Sequence, residues 1–153
     1  MADYDVTITS HTSDVISQMK RDGIAALEEV GLRAVGYAKM KAPVGTPEST
    51  GIEGYVSNGL RQSITHRVVG NEVYIGTNKK AENGAPYPLY VEMGTGIHAT
   101  NHDGRQSPWT WYDKNGKAHF THGIKPVHYL RDSVSDHKAE YKRVFLKYLE
   151  GNG

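Results

Sequence analysis

Apolar side chains recur three or four positions apart through the first quarter of the chain. Ile16, Met19, Gly23, Leu27, Val30, Ala34 and Ala38 fall on one stripe, which predicts a helix of about seven turns from near Ser13 to Ala42. Pro43 follows and stops it. Ahead of the helix, Val6 and Ile8 alternate with threonines, the two-residue period of a short strand. Alternation returns at Ser63 to Val69 and Glu72 to Thr77, which flank Gly70-Asn71, a pair suited to the positive φ of a tight hairpin turn. On that hairpin Ile64, His66 and Val68 share one face, as do Val73 and Ile75. A second hairpin is expected where Trp109 to Tyr112 and Ala118 to Thr121 enclose Asp113 to Lys117. A final helix with Pro126 in its first turn keeps a three-four rhythm through Val127, Leu130, Val134, Tyr141, Phe145 and Tyr148 until Gly151. The pattern predicts an α+β fold, a long N-terminal and a C-terminal helix packed on an antiparallel sheet of hairpins, in a single domain spanning 1–153.

Two stretches lack any period. Residues 43–59 hold two prolines and four glycines, and residues 94–108 three glycines, so both are expected to be mobile loops. Between them, Ala85 to Gly96 carries two prolines, two tyrosines, one carboxylate and a glycine stop. It predicts one short helix with Pro88 in the first turn, where a missing N–H is tolerated, and Gly94 in the left-handed conformation at its end. Gly23, Gly31 and Gly36 inside the first helix each weaken it by about 1 kcal/mol against alanine. They read either as tolerated weak points or as places where a neighbouring helix approaches closely.

Composition narrows the chemistry. The 153 residues carry 18 basic and 17 acidic side chains, a net charge of +1, without the clustered excess of a dedicated nucleic-acid binder. Mean hydropathy is −0.59, on the polar side for a globular chain. Seventeen glycines exceed the usual ~7%, which suits loops or backbone surfaces that meet other chains. No cysteine is present, so disulfide and thiolate chemistry are excluded and folding in a reducing cytosol is expected. The N-terminus has no signal-peptide pattern and no segment reaches the ~18 apolar residues of a membrane span.

Each constellation that carries chemistry elsewhere meets a plainer reading here. His98, His102, His119, His122 and His128 lie within 31 positions, and the first two have a gap found in some metal loops. Zinc needs three or four convergent ligands on a rigid frame, whereas His98 and His102 lie in the glycine-rich 94–108 stretch, so no metal site is assigned. His119 and His122 read as surface or interface imidazoles. Tyr74-Ile-Gly76 matches a nuclease tripeptide but reads as strand core, and His102-Asp103 near Arg105 lacks the rigid carboxylate cluster of a phosphodiester-cutting site. No phosphate-cradling glycine loop with a lysine occurs. Glu92 sits among Tyr90, Val91 and Met93. An isolated buried carboxylate is unfavourable, so Glu92 is expected to brace the Gly94-Thr95 turn through backbone N–H groups, or to pair across a subunit boundary with Arg61 or Arg131, before any acid-base role. No catalytic residue, metal or cofactor is expected.

Four segments, taken in order, carry a resemblance. Ala42-Pro-Val-Gly-Thr46 and Gly59-Leu-Arg-Gln-Ser-Ile64 match the halves of an Ala-Pro-Val-x-Thr-Gly-x-Leu-Arg-x-Ser-Ile block. Tyr87, Tyr90, Val91, Glu92, Gly94 and Thr95 match Tyr-x-x-Tyr-Val-Glu-x-Gly-Thr, and Pro126 to Arg131 corresponds to a Pro-x-Phe-Leu helix start. In these, over nearly its whole length, the chain resembles the head-tail joining and tail-completion proteins of long-tailed double-stranded-DNA phages. It departs from them by about a dozen inserted residues, Pro47 to Asn58, by His128-Tyr129 where Pro-Phe is usual, and by Arg131-Asp132 near the expected Pro-Ala. The resemblance implies a structural virion protein rather than an enzyme. It would act in a ring of its own copies at the neck or upper tail, beside tail-terminator or head-completion proteins, with DNA passing through the lumen unbound by sequence. Assembly would take place in the host cytoplasm. Pro43, Thr46, Leu60, Arg61, Tyr87, Tyr90, Glu92, Gly94, Thr95 and Leu130 are the structural or interaction residues it implies. The rival reading is a small metal-dependent nuclease using the histidine-rich 98–122 region.

Overall fold

The computed structural model describes residues 9–45, 57–80, 84–113 and 115–151. Helix α1 runs from Thr12 to Lys41. It ends where expected because Ala42, preceding Pro43, turns to an extended φ of −59° and ψ of 130° while its N–H still reaches the Ala38 carbonyl at 2.8 Å. A short helix α2, Gly59–Ser63, leads into strands β1, Thr65–Val69, and β2, Glu72–Gly76. These pair antiparallel, with Val69 opposite Glu72 across the two-residue Gly70-Asn71 turn. His66 and Val68 turn inward on one strand and Val73 and Ile75 on the other. Helix α3, Tyr87–Met93, follows, then a single 3-10 turn at Gly96–His98. Strands β3, Trp109–Tyr112, and β4, Ala118–Thr121, form the second hairpin.

The fold is α+β, with the long N-terminal helix at its centre. The two hairpins make two separate two-stranded sheets rather than one. Only the first packs extensively on α1, and Gly31 explains how: a Cβ there would lie 2.4 Å from the His66 ring and 2.9 Å from Val73. The close approach at this glycine comes from a strand rather than a helix. Around Gly23 and Gly36 there is open space. All of the expected strand at Val6 to Thr9 except Thr9 itself, and most of the 43–59 loop, lie outside the described residues; at the described ends of that loop a bridge joins Gly45 to Ser57 by two 2.8 Å hydrogen bonds.

The final helix departs from expectation at both ends of its first turns. It starts at Tyr129 rather than near Pro126, because Val127 and His128 donate their N–H groups to the carbonyls of Val91 and Glu92, and His128 takes a left-handed φ of 52°. It then breaks into α4, Tyr129–Ser135, and α5, Lys138–Leu149. The bend at Asp136-His137 stacks the His137 ring on Tyr37 at 3.4 Å, and the Tyr141 hydroxyl donates to the Ser133 carbonyl across it.

Two clusters hold the core. Val35, Ala38 and Ala42 of the α1 end meet Leu60, Ile64 and Tyr129, with Tyr87, Val91 and Leu130 packed around them. Val30 and Ala34 meet Tyr141. The predicted stripe is therefore buried only in its second half: Ile16 and Met19 are 48% and 57% exposed. α5 runs antiparallel to α1, from Tyr37 and Glu140 at one end to Glu29 and Tyr148 at the other. Residues 12–25 extend past the end of α5, about 20 Å of helix at 1.5 Å per residue.

Candidate functional site

The segments carrying the sequence signal meet at one joint, the passage from α3 to α4. Pro88 lies in the first turn of α3, and the Gly94 N–H closes the helix on the Tyr90 carbonyl at 2.9 Å. Gly94 does have a positive φ, 75°, but its ψ of 175° is the extended mirror region open only to glycine, not the left-handed helical one. The reason is its neighbours. The chain must leave the helix extended so that Thr95 can pair with Ile124, by its N–H to the Ile124 carbonyl at 2.9 Å and by its hydroxyl oxygen to the Ile124 N–H at 3.0 Å. A Cβ on Gly94 would also meet the His98 carbonyl at 2.7 Å and the Pro126 ring at 2.9 Å. Further on, the Ile97 N–H reaches the His122 carbonyl at 3.1 Å and the Thr100 N–H the Met93 carbonyl at 2.8 Å, so the start of the 94–108 stretch is tied down at several points.

Glu92 is the centre of the joint. It is 8% exposed, and its two carboxylate oxygens accept the backbone N–H groups of Leu130 at 2.8 Å and Arg131 at 3.0 Å. These are among the first N–H groups of α4, which have no partner within the helix, so a charged acceptor there satisfies both donors and favours the helix dipole. The carboxylate is a brace, as expected, but it braces the next helix rather than the Gly94-Thr95 turn. Within the chain neither arginine pairs with it through its side chain. The Arg61 guanidinium donates twice to the Ala42 carbonyl, at 2.7 and 3.2 Å, and so closes the last turn of α1, while the Arg131 side chain turns to Asp132 at 2.9 Å.

Of the other sequence-derived positions, Leu60 is buried in the core, with Tyr87 and Leu130 packed against it. Pro43 and Tyr90 face solvent, and Thr46 lies outside the described residues. Tyr129, where phenylalanine is usual in the resembling family, is fully buried and its hydroxyl donates to the Pro88 carbonyl at 3.3 Å. Burial, aided by the Glu92 charge, pushes its pKa up to about 12. The sequence marked Tyr129 only as a departure from the resembling family's pattern, and it falls outside the apolar rhythm of Val127, Leu130 and Val134.

A second polar lattice links α1 to α5, and only its Glu29-Arg33 spacing was readable in advance. Arg33 bridges Glu29 at 2.5 Å and Glu140 at 2.7 Å, Tyr37 donates to Glu140 at 2.7 Å, and Tyr148 donates to Glu29 at 2.9 Å. Glu140 is held below its usual range by the Tyr37 hydroxyl and then Arg33, and Glu29 by Arg33 and then Tyr148. Lys41 and Arg131 do the same for Asp132.

On the second hairpin, Asp113 accepts from the N–H groups of Asn115 and Lys117 and pairs with His119 at 2.8 Å, which lowers its pKa. His119 stacks on Trp111. His119 is thus a hairpin fastener. His98 sits in the 3-10 turn, and among the described residues no three His, Cys, Asp or Glu side chains are grouped to hold a metal. No described helix is long and apolar enough to cross a membrane.

Compared with protein-family models, with curated proteins and with solved structures, the chain matches none.

Proposed function

We propose that this chain is a structural virion protein of a long-tailed phage, acting at the neck or upper tail in tail completion and in joining the tail to the DNA-filled head. It works as one member of a ring and contributes surface rather than chemistry. The observation that carries the reading is where its apolar surface lies. The hairpin β3–β4 leaves Tyr112 and Phe120 70% and 68% exposed on one face, and each of its two strands has an edge unpaired by any described strand. An isolated two-stranded hairpin is marginal in water, and exposed aromatics of this size mark contact surfaces. The projecting half of α1 adds Val15, Ile16 and Met19, about half exposed or more. By contrast, the carboxylate most buried in the signal-bearing segment is spent on fixing α4, which suits a rigid frame presenting two docking elements.

A phage or prophage carrying an early stop codon in this gene tests the proposal. The expected electron micrographs show filled heads beside full-length tails, unjoined, with joining restored by the wild-type chain. Normal joined virions together with a defect in DNA processing would overturn the assembly reading in favour of a nuclease.

A further inference from the structure

The near-neutral charge of the whole chain conceals a local imbalance. Helix α5 holds four basic side chains, Lys138, Lys142, Arg143 and Lys147, and one acid, Glu140, leaving 14 basic and 16 acidic groups on the rest of the chain. The acid does not offset its own helix: Glu140 turns to α1, where Arg33 and Tyr37 occupy it. All four cations are solvent-exposed and none forms an ion pair among the described residues; Lys147 stands near enough to Glu29 to act on it, but Arg33 and Tyr148 hold that carboxylate.

Their arrangement is specific. At about 100° per residue, Lys138 and Lys142 lie about 40° apart, Arg143 and Lys147 lie about 40° apart, and the two pairs are separated by about 140° around the helix. Between the two rows runs an uncharged, exposed ridge of Ala139 and Leu146. A flat acidic protein face would meet one row and leave the other in water. A groove walled on both sides by phosphates meets both, and the ~12 Å major groove of duplex DNA admits a helix of this size.

We infer that the outer face of α5 is a contact surface for the phosphate backbone of duplex DNA. The ridge offers no hydrogen-bonding group to base edges, so the contact is independent of sequence. This inference stands apart from the assembly reading: an α5 that ignores DNA leaves tail joining untouched, and DNA binding by α5 does not require a neck ring.

The test uses the full chain and a fluorescein-labelled 30-base-pair duplex in two unrelated sequences, with anisotropy followed over a salt series. Both duplexes should bind equally, with a log-log salt slope of about −3.6, since each of four neutralised phosphates contributes about −0.9. Changing Lys138, Lys142, Arg143 and Lys147 together to glutamine should reduce affinity at least ~10-fold and bring the slope below about 1 in magnitude. A charge-matched control with Lys20, Arg21, Lys80 and Lys125 changed to glutamine should bind as the wild type does. Absent binding, equal loss in both variants, or equal affinity for poly-L-glutamate would each overturn the assignment. Should the α5 variant fail to fold, acetylation footprinting of the wild type decides: duplex should protect Lys138, Lys142 and Lys147, and unchanged reactivity would sink the idea.

Discussion

At the scale of single residues, Glu92 and Gly94 fix the joint between α3 and α4. Replacing Glu92 by glutamine keeps one carbonyl acceptor and puts an NH2 group against a backbone N–H, so a stability loss of about 1–3 kcal/mol is expected in urea unfolding. Glu92→Ala should cost at least as much, whereas Arg131→Ala, whose side chain is not part of the brace, should change stability by less than about 0.5 kcal/mol. Gly94→Val should lose about 1–3 kcal/mol from its backbone region alone, with the His98 and Pro126 contacts adding to it, and an unchanged melting temperature would contradict the cap. Titration adds a second check. Glu29, Asp113, Asp132 and Glu140 are all lowered in the folded chain. The unfolded chain then takes up protons first, near pH 4, so stability is full above that pH and falls as pH drops through the folded values. Tyr129 and Tyr141, both raised to about 12 chiefly by burial, act in the opposite sense: their contribution is whole below pH 10 and lost as pH rises through about 12. A tyrosinate absorbance titration should show these groups ionising together with loss of tertiary structure.

At the scale of elements, local signals were legible and long-range ones were not. Pro43, the Gly70-Asn71 turn, the second hairpin and the end of α3 at Gly94 could be read because each depends on a few adjacent residues with restricted φ, whereas the extended ψ of Gly94 follows from the distant Thr95–Ile124 pairing and could not. The end of the buried stripe on α1 could not be read, since it depends on how far α5 extends, and the start of α4 depends on bonds from Val127 and His128 to α3, some 36 residues away in sequence. Likewise the 3.6-residue rhythm from Val127 to Tyr148 shows nothing of a bend at His137, because both halves still face α1. Glu92 was legible as a brace but its partners were not, since two carboxylate oxygens take whichever N–H groups the fold brings near. The glycines of α1 separate these cases by experiment. Gly31→Ala should destabilise, having the His66 ring in its way, whereas Gly36→Ala, in open space, should stabilise by about 0.5–1 kcal/mol. A Gly36→Ala protein that melts higher yet assembles poorly would identify a neighbouring subunit against that face.

At the scale of the whole molecule, a small core at the end of α1 supports two outlying elements that bury little of their own apolar surface, the N-terminal half of α1 and the β3–β4 hairpin. This division gives the assembly reading its physical content, because the core can stay intact while the docking surface is altered. Tyr112 and Phe120 lie on the exposed face of the hairpin, so changing both to serine should leave the melting temperature within about 2 °C of wild type, a surface-substitution effect. The decisive measurement is the fraction of joined particles in electron micrographs when this double variant is supplied to the stop mutant. The account predicts a folded protein that leaves filled heads and full-length tails apart; joining at the wild-type frequency would contradict it.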